Sequence, residues 1–179
     1  MKFKIVIFTL MLILGSSTVL ASEDRDPYQY FFNETWGELN EELVNAREQN
    51  KKAILIFFEL DECPFCHFMK DNVLSKPEVQ AYFRKYFLSF PIDIEGDVEM
   101  VDFKGNTMTQ KQFATKVQRV RATPVFAIFD LQGKRIARYT GRTSGVEEFM
   151  WLGQYVVDEV YKKMSFNKYK RKMRKLKQS

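Results

Sequence analysis

The spacing of hydrophobic residues predicts alternating helices and strands in the middle of the chain. Four apolar residues recur at helical spacing: Trp36, Leu39, Leu43 and Ala46. Thr35 and Glu38 match a capping box at the start of this helix. The next apolar run, residues 53–58, is short, continuous and partly β-branched, which is typical of a strand buried on both faces.

The elements after this strand follow a regular order along the chain. They are a helix from Pro64, a helix over 77–86, a strand over 87–94, an insertion over 95–108, a helix capped by Thr109, strands over 125–129 and 135–139 joined by a hairpin turn, and a helix over 149–160. A βαβ unit followed by a hairpin and a closing helix is a mixed-sheet α/β arrangement. The first strand leads to the carboxyl edge of the sheet, where such folds place reactive groups.

The start of the chain has the pattern of an export signal. Lys2 and Lys4 precede an apolar run over 5–14, and Val19-Leu20-Ala21 resembles a cleavage site with small residues. The apolar run is shorter than the roughly 20 residues that span a membrane. An uncleaved anchor is the alternative. We expect cleavage near Ala21 and a periplasmic, oxidising location for the mature chain.

The net charge of +5 is unevenly distributed. Residues 1–21 supply two positive charges and residues 162–179 supply nine, so the middle of the chain has a net charge of −6. We therefore divide the chain into a signal peptide (1–21), an N-terminal leader (22–33), one domain (34–163) and a basic C-terminal tail (164–179). The tail suits an anionic membrane or an acidic partner, or it is a solvated, frayed terminus, which we favour. An exported protein rarely meets nucleic acid, so no nucleic-acid partner is expected.

The candidate chemistry lies in Cys63-Pro64-Phe65-Cys66, which holds the only two cysteines of the chain. A disulfide over so short a loop constrains the unfolded chain very little, so the pair favours redox chemistry over a structural role. Pro64 suits the first turn of a helix, which places Cys63 at the helix N-terminus. Unpaired N–H groups and the helix dipole there stabilise a thiolate. We expect Cys63 to be the exposed nucleophile and Cys66, one turn later, the buried resolving thiol.

The sequence resembles the thioredoxin superfamily over roughly residues 34–163. The resemblance rests on the strand before the two cysteines and on Ala122-Thr123-Pro124 before the strand at Val125. It implies a thioredoxin fold, with a central mixed sheet flanked by helices and an insertion after the second core strand. It also implies that Pro124 is a cis-proline packed against the active-site disulfide. Pro64, Phe65, Thr123 and Pro124 would then contact the substrate, with the backbone of Thr123 pairing with its peptide.

Three further stretches resemble exported thioredoxins of the group that includes SoxW: Phe57-Phe58-Glu59, Pro77-Glu78-Val79 and the insertion from Gly96-Asp97 to Asp102-Phe103-Lys104-Gly105. That resemblance implies a carrier of electrons from a membrane thiol transporter to periplasmic disulfides. Two positions depart from ordinary thioredoxins. Glu62 replaces a Trp before the first cysteine, and Phe57 replaces a buried Asp that shuttles protons. Acidic neighbours would oppose thiolate formation at Cys63.

Several alternatives stay open at this level. Cys63 to His67 also matches a c-type haem attachment motif, although His67 is the only histidine. Two cysteines and one histidine fall short of the four ligands of structural zinc. His67 lies four residues after Cys63 on the same helical face, where it would influence the active-site pKa or simply be solvated. A non-catalytic binding module of the same fold is the other class.

The sequence as a whole predicts an exported thiol–disulfide oxidoreductase whose catalytic residues are Cys63 and Cys66. No cofactor or metal is expected beyond the redox-active disulfide itself. We expect its partners to be protein thiols and disulfides, with a membrane thiol–electron transporter as reductant. A thiol oxidase or isomerase of the same fold is the alternative direction. No imidazole lies between the cysteines, which favours a reductase.

Overall fold

The computed structural model describes residues 23–178. The helices are α1 (Pro27–Tyr30), α2 (Leu39–Glu48), α3 (Pro64–Met69), α4 (Pro77–Tyr86), α5 (Gln110–Gln112), α6 (Val146–Val157) and α7 (Phe166–Gln178). The strands are β1 (Ala53–Glu59), β2 (Phe87–Asp93), β3 (Glu99–Val101), β4 (Thr107–Thr109), β5 (Val125–Phe129) and β6 (Arg135–Thr140). Turns of π-helix extend α3 through Lys70–Leu74 and α5 through Phe113–Val117.

Four strands form a mixed sheet in the order β2-β1-β5-β6. Strand β1 pairs in parallel with β2 and antiparallel with β5, and β5 pairs antiparallel with β6. The mixed sheet flanked by helices confirms the predicted α/β fold class. Strands β3 and β4 form a separate hairpin in the predicted insertion. Its turn is closed by the Asp102 carboxylate, which accepts hydrogen bonds from the N–H groups of Lys104 and Asn106 at 2.8 and 2.9 Å.

The core lies on both faces of the sheet, as the continuous apolar run in β1 predicts. Every residue of β1 is buried, and successive side chains alternate between the two faces. Leu55 and Phe57 face a cluster formed mainly by α3, α4, α6 and α7. Ile54, Ile56 and Phe58 face a second cluster formed by α2, the hairpin and the segment around Phe113. Because β1 is central and buried on both sides, it gives the residues that follow it a rigid base.

The start of α2 differs from the sequence prediction. The helix begins at Leu39, so Trp36 lies outside it and its side chain is 98% exposed. The Thr35 hydroxyl accepts a hydrogen bond from the N–H of Gly37, and Glu38 makes no side-chain cap. The predicted capping box is therefore wrong. Gly37 has a φ of +85°, a left-handed conformation that turns the chain just before the helix begins.

The predicted leader contributes to the core. Phe31 and Phe32 follow α1 and are 0% and 3% exposed. The Phe31 ring lies 5.4 Å from that of Phe83 and 6.1 Å from that of Phe149, and the two rings belong to helices α4 and α6. Arg84 holds the leader from outside by donating to the carbonyl oxygens of Gln29, Tyr30 and Phe32 at 2.7–3.0 Å.

The basic tail is helical and packed, so a frayed terminus is wrong for residues 166–178. Helix α7 buries Phe166 and Tyr169 against the domain. The ring of Tyr155 in α6 lies 5.4 Å from the Phe166 ring and 5.7 Å from the Tyr169 ring. Within residues 23–178, no helix is both long and apolar enough to cross a membrane. The predicted signal peptide lies outside the described residues.

Candidate redox site

Cys63 occupies the N-cap of α3, immediately after the central strand. Its backbone is extended, and Pro64 fills the first helical position, where no N–H is needed. The Cys63 Sγ accepts a hydrogen bond from the N–H of Cys66 at 3.1 Å. The Cys63 carbonyl accepts from the N–H groups of Cys66 and His67 at 3.0 and 3.1 Å. The sulfur therefore takes the place of a capping oxygen at the positive end of a helix.

The two cysteines form a disulfide, with their Cα atoms 5.2 Å apart. Cys66 is 0% exposed, as expected for the inner sulfur. Cys63 is only 6% exposed, so the prediction of an exposed Cys63 needs correction. In the disulfide state it belongs to the same core cluster as Cys66. The exposed part of the motif is the dipeptide between them, and the Phe65 side chain is 53% exposed.

An arginine that sequence reasoning missed lies beside this dipeptide. The Arg142 guanidinium lies 5.7 Å from the centre of the Phe65 ring and 4.6 Å from that of Phe68. These distances suit cation–π contacts. Next to it, Thr143 donates from its N–H to the Met69 sulfur at 3.4 Å. The loop after β6 is therefore attached to the active-site helix, and it brings a positive charge to the rim of the motif.

The predicted Thr123-Pro124 segment enters the sheet at the same edge. Strands β1 and β5 are antiparallel, and Val125 pairs with Phe58, so β5 begins where β1 ends. The Pro124 carbonyl accepts from the N–H of Gly141 at 2.8 Å, and the Thr123-Pro124 peptide bond is cis. Pro124 is buried and Thr123 is half-buried. Both segments that the resemblance singled out thus lie at the carboxyl end of β1.

The family profile described as a thioredoxin-like domain matches residues 39–156, which include both segments. This protein belongs to the thioredoxin-like family. The match confirms the predicted superfamily. No match was found among curated proteins.

Solved structures of other proteins are similar to this chain in fold. A thioredoxin-fold protein from Helicobacter pylori is 20% identical, with a TM-score of 0.60, over 71% of this chain and 87% of its own. A thioredoxin from Thermus thermophilus is 20% identical, with a TM-score of 0.54, over 72% and 88%. DsbH oxidoreductase is 20% identical, with a TM-score of 0.53, over 73% and 88%. At this identity the likeness concerns the fold.

The thioredoxin-like domain has an aromatic cluster around Phe57, the position where the resemblance to ordinary thioredoxins implies a buried acidic residue. Phe57 is 0% exposed, and its ring lies 4.9 Å from that of Phe126 and 5.7 Å from that of Phe32. The nearest buried carboxylate along β1 is Glu59, which is 7% exposed. It accepts from Lys70 at 2.8 Å and from the Tyr28 hydroxyl at 2.8 Å. The sequence signal for the buried Glu59–Lys70 pair is the position of Glu59, a charged residue at the end of an otherwise apolar strand.

The mouth of the site is electrically asymmetric. Arg142 lies beside the Phe65 and Phe68 rings. Leu60 and four carboxylates line a shallow cavity of about 260 Å³ next to the loop before Cys63: Asp61, Glu62, Asp93 and Glu95. Within residues 23–178, no group of three or more His, Cys, Asp or Glu residues is arranged to hold a metal ion.

The His67 ring interacts with the backbone of the loop before Cys63. Its Nε2 lies 2.7 Å from the carbonyl oxygen of Asp61, on an exposed part of the helix. The ring therefore orders the loop that leads into Cys63 and makes no hydrogen bond to either sulfur.

Proposed function

We propose that this protein is an exported thiol–disulfide oxidoreductase that reduces disulfides in periplasmic partner proteins. Thioredoxin-like family membership and the Cys63–Cys66 disulfide support the general class of activity. The observation that carries the proposed thiol–disulfide exchange is the position of the Cys63 sulfur. It caps the active-site helix and accepts the Cys66 N–H at 3.1 Å, where a developing thiolate is stabilised.

The reaction proceeds in two exchanges through a mixed disulfide. In the reduced protein, the Cys63 thiolate attacks one sulfur of a substrate disulfide, and the other substrate sulfur leaves as a thiolate. The Cys66 thiol loses its proton and attacks the Cys63 sulfur, which releases the second substrate sulfur. Two electrons pass to the substrate, and the Cys63–Cys66 disulfide forms. The disulfide in the structure corresponds to this oxidised product.

The exposed surface around the motif suits an extended peptide. Pro64 and Phe65 lie at the surface, and the half-buried Thr123 precedes the edge of the sheet nearby. We propose that the Thr123 backbone pairs with the substrate and that Phe65 packs against its side chains. Arg142 adds a positive charge beside Phe65. Because Asp61 and Glu62 in the loop before Cys63 are acidic, we propose that positively and negatively charged substrate side chains bind at different parts of this surface.

A periplasmic reductant needs its own source of electrons. We propose that a membrane thiol–electron transporter reduces the Cys63–Cys66 disulfide after each cycle, as the SoxW-like resemblance implies. The predicted signal peptide over residues 1–21, with cleavage near Ala21, supports export. Detection of a mature chain that begins at Ser22 in the periplasmic fraction tests this part. An intact chain confined to the membrane fraction would contradict it.

The decisive measurement is the reduction potential of the Cys63–Cys66 pair, obtained by equilibration with glutathione buffers. A value near about −270 mV supports a reductant, and one near about −120 mV would make the protein an oxidant. Reduction of insulin by the dithiothreitol-reduced protein tests the activity itself. The Cys63→Ser variant should be inactive there. Wild-type protein without activity towards insulin or other disulfide proteins would favour a binding module.

A further inference from the structure

Helix α7 carries seven Lys and Arg residues and no acidic residue. Three of these cations face the domain and are paired. Lys170 and Arg174 each contact Glu148 at 2.8 Å, and Lys177 contacts Glu147 at 2.5 Å. The two acceptors lie in the first turn of α6, and Glu148 is only 2% exposed. These ion pairs, with buried Phe166 and Tyr169, fix which face of α7 points inwards.

The other four cations form a stripe on the outer face: Lys168, Arg171, Lys172 and Lys175. Their spacing of three, four and seven residues places them on one side of the helix. All four are exposed, and none has an ion-pair partner within residues 23–178. Together with Leu176, which is 60% exposed, they line a shallow depression. We call these four residues the cationic stripe.

The cationic stripe is unfavourable for the isolated helix, because like charges three and four residues apart repel. An anionic partner would remove that repulsion. The rest of the domain has an excess of acidic residues, so the stripe is the part of the surface that an anionic partner would approach. The charge therefore favours an anionic partner that approaches this face of α7.

The composition of the stripe distinguishes between kinds of anionic partner. Protein interfaces concentrate aromatic residues, Met and Arg at their centres and are depleted in Lys. Three of the four residues here are lysines, and the only large apolar side chain beside them is Leu176. A shallow, Lys-rich helix face can bind the mobile anionic headgroups of a lipid surface without a fixed geometry. It therefore suits a lipid surface better than a protein partner of fixed shape.

We propose that the cationic stripe of α7 binds an anionic phospholipid surface. The inner ion pairs hold the helix on the domain, so the domain would stay folded while the outer face adsorbs. Four charges give weak binding that salt reverses. This inference is independent of the proposed redox function.

Adsorption through α7 would also fix the orientation of the redox end of the domain along the membrane surface. Glu147, the partner of Lys177, follows closely after Arg142, whose guanidinium lies 5.7 Å from the Phe65 ring. The C-terminal end of α7 therefore points towards the end of the domain that carries the disulfide.

The test is cosedimentation of the full chain with lipid vesicles. One set contains phosphatidylcholine alone, and the other contains phosphatidylcholine with phosphatidylglycerol. The comparison uses a variant with Lys168, Arg171, Lys172 and Lys175 replaced by Gln. A matched control has four other exposed lysines replaced by Gln: Lys104, Lys111, Lys116 and Lys134. These replacements lower the net charge by the same amount as those in the stripe variant. Circular dichroism and urea unfolding establish that both variants remain folded.

We expect the wild type and the matched control to bind anionic vesicles more than about tenfold better than the stripe variant. Added salt should abolish this difference. Binding to neutral vesicles reports any contribution of the apolar segment 1–21, and it should be equal for the wild type, the stripe variant and the matched control. Equal binding of the stripe variant and the matched control to anionic vesicles would overturn the proposal. Stripe-dependent binding to polyglutamate without binding to anionic vesicles would also overturn it and would indicate an acidic protein.

Discussion

The Lys70 ammonium lies 2.8 Å from the Glu59 carboxylate in a nearly buried ion pair that connects β1 to the active-site helix. The two side chains are 12% and 9% exposed. Lys70 also donates to the Tyr28 hydroxyl at 3.0 Å, and Tyr28 donates to Glu59 at 2.8 Å. Burial lowers the pKa of Lys70, but its hydrogen bonds to Glu59 and Tyr28 outweigh burial and raise it. Lys70 is therefore charged, and the triad joins α1, β1 and the helix of Cys63.

The first prediction concerns this ion pair. Replacing Lys70 by Met leaves the buried Glu59 carboxylate with the Tyr28 hydroxyl as its remaining hydrogen-bond donor. Loss of one partner of a buried pair is expected to lower the free energy of unfolding by about 3 kcal/mol. The double variant Glu59→Gln, Lys70→Met removes both charges and should recover part of that loss. Urea unfolding followed by circular dichroism measures both values.

The exposed ion pair between Lys76 and Asp24 supplies the control, since its side chains are 30% and 51% exposed. Lys76→Met should change the free energy of unfolding by less than about 1 kcal/mol. A similar small effect for Lys70→Met would show that the Glu59–Lys70 pair contributes little to stability.

Much of the fold follows from local sequence signals. The continuous apolar run predicts β1, and Pro64 predicts a helix with Cys63 at its N-terminus. Thr109 caps a helix, as the sequence predicts, and the structure adds Gln112 as its partner in a capping box. Each of these signals acts within a few residues, where backbone geometry and hydrophobic spacing decide the structure.

The features that sequence reasoning missed depend on contacts between distant residues. Phe31 lies in a segment without periodicity, and it is buried because α4 and α6 supply aromatic partners. The tail has the composition of a solvated segment, and its packing depends on Glu148 in another helix. Arg142 reaches the site through a loop that follows the last sheet strand. None of these partners is specified by the local pattern.

The second prediction compares two phenylalanines near the redox site. Phe57 is completely buried between aromatic rings, so Phe57→Ala should lower the free energy of unfolding by about 3–5 kcal/mol. Phe65 is 53% exposed, and Phe65→Ala should change that free energy by no more than about 0.5 kcal/mol. Phe65→Ala should instead raise the KM for a disulfide protein. A large loss of stability in Phe65→Ala, with unchanged KM, would contradict its proposed substrate contact.

The third prediction concerns the pH dependence of stability through Glu148. Burial raises the pKa of this carboxyl, but hydrogen bonds from Lys170, Tyr139 and Ser144 outweigh burial and hold the pKa at about 2, against 4.5 ordinarily. The stabilisation is therefore complete above about pH 4.5 and declines as the pH falls towards about 2. Glu148→Gln should lose about 1–3 kcal/mol at pH 7 and less at pH 3.

Urea unfolding at both pH values measures the difference between the variant and the wild type, so titration of other carboxyls cancels. Glu147→Gln serves as the control, because the Glu147–Lys177 pair is about half exposed on both sides. Its effect should be below about 1 kcal/mol at either pH. A difference for Glu148→Gln that does not depend on pH would mean that the charge of Glu148 contributes nothing to stability.

The last prediction assigns the roles of the two sulfurs. Cys66 is completely buried behind Cys63, whereas Cys63 is at the helix N-cap with 6% of its surface exposed, so a substrate disulfide can approach only Cys63. Without Cys66, the mixed disulfide on Cys63 has no resolving thiol and should accumulate. Cys66→Ser is therefore expected to trap partner proteins as mixed disulfides. These complexes should be visible on a non-reducing gel and should disappear after treatment with dithiothreitol. Cys63→Ser leaves a thiol that substrates cannot reach and should trap none. Complexes formed by Cys63→Ser but not by Cys66→Ser would reverse the assignment, because the attacking sulfur would then be the inner one.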